Sequence, residues 1–210
     1  MDSKKARFIG CYNKSVILTY IGIISSIYGI IYSQNLDIAV ICLVIAGICD
    51  LFDGTVARMC KRTDKEKEFG IQIDSLADVI GSLILPTAIL NQVCSFDSNL
   101  SLIALIVSAL YVLAGVTRLA WFNITTDGKT KYFQGLPVTS IAIFVPVSYV
   151  LLSNFIVSQL VLPIVLLVEY FIISFLFILN FKVAKPTKEM YVVFTGFAFI
   201  CIILILLKWW

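Results

Sequence analysis

Histidine is absent from the whole 210-residue chain. That absence removes imidazole general bases, His-containing facial triads and most zinc sites. Charge is scarce too: Asp, Glu, Lys and Arg make up 14% of the residues, against about a quarter in soluble domains. Proline is sparse, and no low-complexity linker or internal repeat divides the chain. The six cysteines (Cys11, Cys42, Cys49, Cys60, Cys94, Cys201) form no C-x-x-C pair. Most fall in apolar runs, where free cysteine serves as a small hydrophobe. What is abundant is apolar: 60% of the residues are hydrophobic, with a mean hydropathy of +0.99. The chain therefore reads as an integral membrane protein.

Apolar stretches recur at roughly 15–33, 36–57, 69–94, 99–122, 136–156, 159–181 and 189–207, each about the ~20 residues that cross a bilayer. The connectors are too short for a soluble domain. The expectation is one all-α, polytopic transmembrane helical bundle over residues 1–210, with no nucleic-acid partner. Residues 1–13 read as a juxtamembrane segment, in which Lys4, Lys5 and Arg7 surround Phe8, Ile9 and Tyr12. That composition fits an amphipathic surface helix, and no small-residue cleavage site marks it as a removed leader. All the basic residues but Lys208 fall on one side of a seven-span arrangement. The positive-inside bias puts that side, with the N-terminus, in the cytoplasm. Trp209 and Trp210 read as an interfacial anchor.

The stretch from Asp50 to Asp78 lies at that cytoplasmic side, where the second span ends and the third begins. It carries Asp50 and Asp53 at i, i+3, then Asp74 and Asp78 at i, i+4. On helices, each pair shares one face. Four converging acids repel one another unless a cation neutralises them, and an all-oxygen set suits Mg2+ or Mn2+ before Zn2+. Gly54 and Ala57 keep the second span thin beside the acids, and Arg58 supplies a fork suited to phosphate. Arg118, near the end of the fourth span, falls at a similar depth. The pattern points to a cytoplasmic cavity that binds metal and a phosphate-bearing substrate.

Asp50, then Asp53-Gly54-x-x-Ala57-Arg58, then Gly70-x-x-x-Asp74-x-x-x-Asp78, resembles the signature of the CDP-alcohol phosphotransferases. One departure is the spacer, Met59–Phe69, which is longer than usual and reads as an extended charged loop. The run FGIQIDSLAD (Phe69–Asp78), the segment TRLAWFN (Thr117–Asn123) and YFQGLP (Tyr132–Pro137) are similar to the bacterial phosphatidylserine synthases within that family. The resemblance implies a six-helix core, making the seventh span a C-terminal addition, and a homodimer in the cell membrane. It implies metal ligation by Asp50, Asp53, Asp74 and Asp78, with two ions of Mg2+ or Mn2+. Asp78 would be the general base, and Gly54, Ala57, Arg58 and Gly70 would lie against the nucleotide. CDP-diacylglycerol would be the donor and serine the acceptor, giving phosphatidylserine and CMP. Arg118, Lys129 and Lys131 are candidates for the acceptor or a lipid phosphate. Arg118 also suits a snorkelling helix end, and the two lysines suit the positive-inside bias.

Two rivals remain at this stage. Another acceptor, such as inositol phosphate or glycerol 3-phosphate, would need an extra basic pocket. A cation transporter would need polar residues continuing to the outer face, whereas only Glu169 lies beyond the acid cluster. Glu169 is expected to bond Tyr149, Tyr170 or Ser174, or to mark a subunit contact, outside the active site. Asn123-Ile124-Thr125 fits a glycosylation sequon by coincidence, given its cytoplasmic placement.

Overall fold

In a computed structural model, which describes residues 9–125, 132–155, 159–184 and 187–207, the apolar stretches form helices. These are α1 (Ile17–Ile31), α2 (Leu36–Met59), α3 (Asp64–Asp78), α4 (Leu85–Cys94), α5 (Ser98–Thr125), α6 (Ile141–Phe155), α7 (Val161–Ile178) and α8 (Lys188–Leu206). A π-helical turn, Val79–Ile84, joins α3 to α4, so residues 64–94 form one continuous rod. Among the described residues, five helical stretches are long and apolar enough to cross a membrane, and Val138–Ser153 is a shorter apolar helix. Helix α2 adds 24 residues, about 36 Å at ~1.5 Å per residue. The bundle is the all-α polytopic architecture that the composition indicated.

Helix α2 is the central post, packed by α1, α4, α6 and α8. Close approach depends on small residues, as is usual where lipid supplies no hydrophobic drive between helices. A Cβ at Gly29 would stand 2.7 Å from the Cys42 Cβ, and one at Gly47 only 2.5 Å from the Ala142 Cβ. The buried core runs along α2, α4, α5 and α7 through Val40, Leu43, Leu85, Ile89, Leu166 and Tyr170. Between α5 and α7, Tyr111 packs on Tyr170 and Phe177, with ring centroids 4.9 Å and 5.3 Å away.

The spacer after Arg58 is not the extended loop expected of it. Met59 ends α2, and α3 begins at Asp64. Thr63 and Glu66 form a reciprocal capping box: the Thr63 side chain accepts from the Glu66 N–H, and the Glu66 carboxylate accepts from the Thr63 N–H at 2.8 Å. Lys67 adds a 2.8 Å ion pair with Asp64. The extra charged residues thus lengthen α3 at its start instead of widening a loop. The T-x-x-E spacing carried that signal in the sequence.

A second addition to the expected picture is a short ribbon. Strands β1 (Tyr132–Gln134) and β2 (Lys182–Ala184) pair antiparallel, with Phe133 opposite Val183. They tie the segment before α6 to the segment before α8. Gly135 follows β1 at φ +71°, and a Cβ there would lie 2.7 Å from the Phe177 carbonyl oxygen. Only glycine suits that backbone and that space.

Candidate active site

The two acid pairs meet. Asp50 and Asp53 lie one turn apart on α2, and Asp74 and Asp78 one turn apart on α3. One carboxylate oxygen from each of Asp50, Asp53 and Asp74 falls within 4.8 Å of the others. The Asp53 and Asp74 carboxyls are in hydrogen-bond contact, as are those of Asp50 and Asp78. The Thr19 hydroxyl on α1 donates to Asp53 Oδ2 at 3.0 Å, and Thr139 contacts Asp50. Carboxyl oxygens so close require a proton or a cation between them, and this set of hard oxygens fits a divalent metal.

The acids enclose a pocket of about 20 Å³, walled by small residues that include Gly22, Ala46, Ala77 and Gly81. That is room for an ion or a water and no more. The other side of the same acids opens on a cavity of about 410 Å³ between α2, α6 and α8. Its polar end holds Asp50, Asp53, Asp74, Arg58, Thr139 and Ser140; its apolar end holds Val44, Ala142, Ile143, Phe194 and Phe197. The gradient runs along α2 from Arg58 to Val44, about 21 Å at ~1.5 Å per residue. Such a space suits a molecule with a charged head and an apolar tail.

The remaining sequence-derived residues divide. Gly54 and Arg58 line the large cavity; the Arg58 guanidinium is exposed and donates to Thr55 Oγ1 at 3.0 Å. Ala57 and Gly70 are not among its lining residues. Gly70 instead faces Arg62, whose Nη1 lies 3.3 Å from where a Cβ would stand. Arg118 is buried, stacks on the Phe122 ring with its Cζ 5.0 Å from the centroid, and is within electrostatic reach of Asp50 and Asp78. Lys129 and Lys131 lie outside the described residues.

Glu169 is absent from the residues lining either space. Its expected partners are wrong: Ser148 Oγ on α6 donates to Glu169 Oε2 at 2.5 Å. Tyr149 donates to Asp37, Tyr170 to the Pro86 carbonyl, and Ser174 to the Tyr170 carbonyl. Asn123 and Ser75 exchange hydrogen bonds at 2.9 and 3.1 Å, which gives that asparagine a structural role joining α5 to α3. Sequence reasoning missed Thr19, Thr139 and the α8 wall. Thr139 stands two residues beyond the Gly-Leu-Pro motif, a usable signal. Thr19 and the α8 residues sit in apolar runs without one.

Comparison with known proteins agrees with this geometry. Residues 13–175 match the CDP-alcohol phosphatidyltransferase family. A CDP-diacylglycerol–serine O-phosphatidyltransferase of Helicobacter pylori is 35% identical over 185 residues, covering 84% of this chain and 76% of the relative. An archaetidylserine synthase of Methanothermobacter thermautotrophicus is 38% identical over 136 residues, 65% of this chain and 51% of that protein. A CDP-diacylglycerol–serine O-phosphatidyltransferase of Saccharomyces cerevisiae is 34% identical over 116 residues, 50% of this chain and 40% of the relative. The matched span contains both acid pairs, and membership in a transferase family removes the transporter reading. A multi-pass membrane enzyme, this chain belongs to the CDP-alcohol phosphatidyltransferase family.

Proposed function

We propose that the enzyme transfers the phosphatidyl group of CDP-diacylglycerol to the hydroxyl of L-serine, giving phosphatidylserine and CMP, with divalent metal. The observation that carries the proposal is the cavity that begins at Asp50, Asp53 and Asp74 and ends among apolar side chains. The donor has the same polarity from pyrophosphate to acyl chains. Serine as acceptor is supported by the names of the relatives.

Asp50, Asp53 and Asp74 would hold the metal, with Asp78 sharing a second ion. Bound there, Mg2+ or Mn2+ would act as Lewis acid and template for the donor pyrophosphate. Gly54 and Arg58, which line the cavity, would lie along the cytidine diphosphate, Arg58 meeting phosphate oxygens with its planar fork; for Ala57 and Gly70 the same role rests on the family resemblance. Asp78 takes the proton from the serine hydroxyl, a role for a carboxylate in a chain without histidine. The serine oxygen bonds to the lipid-side phosphorus while the bond from that phosphorus to the CMP oxygen breaks. Arg118 offers its charge to the serine carboxylate or the lipid phosphate, and Lys129 and Lys131 would add to an acceptor site. The distribution of Lys and Arg supports a site opening to the cytoplasm from the cell membrane, and the family resemblance supports a homodimer.

The test is CMP release from CDP-diacylglycerol by the purified protein in detergent, with Mg2+ or Mn2+. Serine, glycerol 3-phosphate, inositol and inositol phosphate are offered separately, with Asp78→Asn as control. Serine-dependent CMP release and a phosphatidylserine product, lost with chelator and in the variant, are the expected results. Turnover with another acceptor alone would overturn the serine assignment and leave the family chemistry standing.

A further inference from the structure

Directly after Asp78 the third span widens into the π turn Val79–Ile84, where the Leu85 N–H bonds to the Ile80 carbonyl, five residues back. Such turns occur mostly as single insertions inside α-helices, frequently at functional sites. Here the turn is followed by Pro86. The α-helical donor to the Ser82 carbonyl would be the N–H of residue 86, and proline has none. Tyr111 on α5 serves that carbonyl: its buried hydroxyl donates to the Ser82 oxygen at 2.6 Å. Ser82 itself lines the small acid pocket with Asp74 and Asp78.

Tyr111 belongs to a stripe. Residues 111, 115 and 118 share one face of α5 by i, i+4, i+7 spacing. Gly115 forms a notch for Leu83 of the π turn, whose Cδ2 would lie 2.3 Å from a Cβ at position 115. Arg118 then comes within electrostatic reach of Asp50 and Asp78. One face of α5 therefore touches the turn at its backbone and its side chain, and ends at the acids.

We infer that Tyr111, assisted by Gly115, is a positioning residue: its hydroxyl fixes the π turn and thereby the placement of Asp78 against α2. This rests on the reading that Asp78 carries the reaction. Tyr111 touches no reacting atom, so its loss should appear in turnover more than in substrate binding. Tyr170→Phe is the matched control. It removes an equally buried hydroxyl bond, 2.7 Å to the Pro86 carbonyl, farther along the rod from Asp78.

The experiment measures kcat and the KM for serine per folded enzyme, in detergent, for Tyr111→Phe, Gly115→Ala, Tyr170→Phe and Asp78→Asn. Tyr111→Phe is expected to lower kcat about tenfold, well within the ~100-fold that a 1 Å misplacement can cost, with the serine KM nearly unchanged. Gly115→Ala, which pushes on Leu83, should give the same signature, and Tyr170→Phe should leave kcat near the parent value. Equal kcat for Tyr111→Phe and Tyr170→Phe would overturn the inference, whether both stay at the parent value or both fall alike. If Tyr111→Phe does not fold, Gly115→Ala decides: full kcat per folded enzyme refutes positioning by this face. An active Asp78→Asn would instead sink the reading of Asp78 as base, a result separable from the others.

Discussion

Two acidic regions of this bundle stand in opposite circumstances. On α2 and α3, four carboxylates approach one another, three of them with oxygens within 4.8 Å. On α7, Glu169 has a single serine hydroxyl for its Oε2. Both regions put acids where the membrane makes them costly. In the first, carboxyls so close require a proton or a cation between them, and the set of oxygens fits a divalent ion. The second belongs to no acid cluster among the described residues, and one hydroxyl donor is its local accommodation. Convergence of acids on a cavity, more than acidity at depth, is what marks the chemistry.

The comparison breaks first at the acids themselves. Asp78→Asn should lower CMP release on the order of 10²–10⁴-fold, the usual contribution of a positioned general base. A variant that keeps activity within tenfold of the parent, measured on folded protein, would remove Asp78 from the reaction. Next in size is the packing that lets α1 bring Thr19 to Asp53. Gly29→Val forces a side chain against Cys42 and should destabilise the bundle by about 1–3 kcal/mol, read as a lower unfolding midpoint in detergent. An unchanged midpoint would mean that the α1–α2 approach is not needed. Smaller still, Thr63→Ala removes the cap that starts α3 and should cost about 1 kcal/mol, checked by chemical unfolding. Smallest is Glu169→Gln, which keeps an acceptor for Ser148 and should leave CMP release within about twofold, roughly the ±0.5 kcal/mol of a change away from the site, since Glu169 lines neither space beside the acids. Loss on the scale of Asp78→Asn would place both acidic regions in one mechanism.

Much of the site was legible before any tertiary contact was known. Spacing alone put Asp50 with Asp53, and Asp74 with Asp78, on shared helix faces, and the fold brings those faces together. The charged spacer was misread, because a run of Lys, Asp and Glu looks solvated whether it is a loop or an exposed helix; the Thr63–Glu66 box distinguishes the two. Glu169 was placed outside the site but given the wrong partner. Tyr149, Tyr170 and Ser174 are near it in sequence or depth, yet each is taken by Asp37 or by a backbone carbonyl. Periodicity does not report which hydroxyl another helix presents.

What the sequence by itself determined is therefore local and compositional: membrane-spanning helices, their short connectors, and the intervals that set acids on one face. Those follow from the rise and turn of a helix and from the cost of charge in lipid, which act on neighbouring residues alone. Only the tertiary structure decided that α8 walls the large cavity, that Thr19 reaches Asp53 from α1, and that the third span widens beside Asp78. The last depends on Pro86 leaving the Ser82 carbonyl without its helical donor and on Tyr111, 29 positions away, supplying a hydroxyl. A helix register that is completed by another helix is a property of their packing, and no local spacing encodes it.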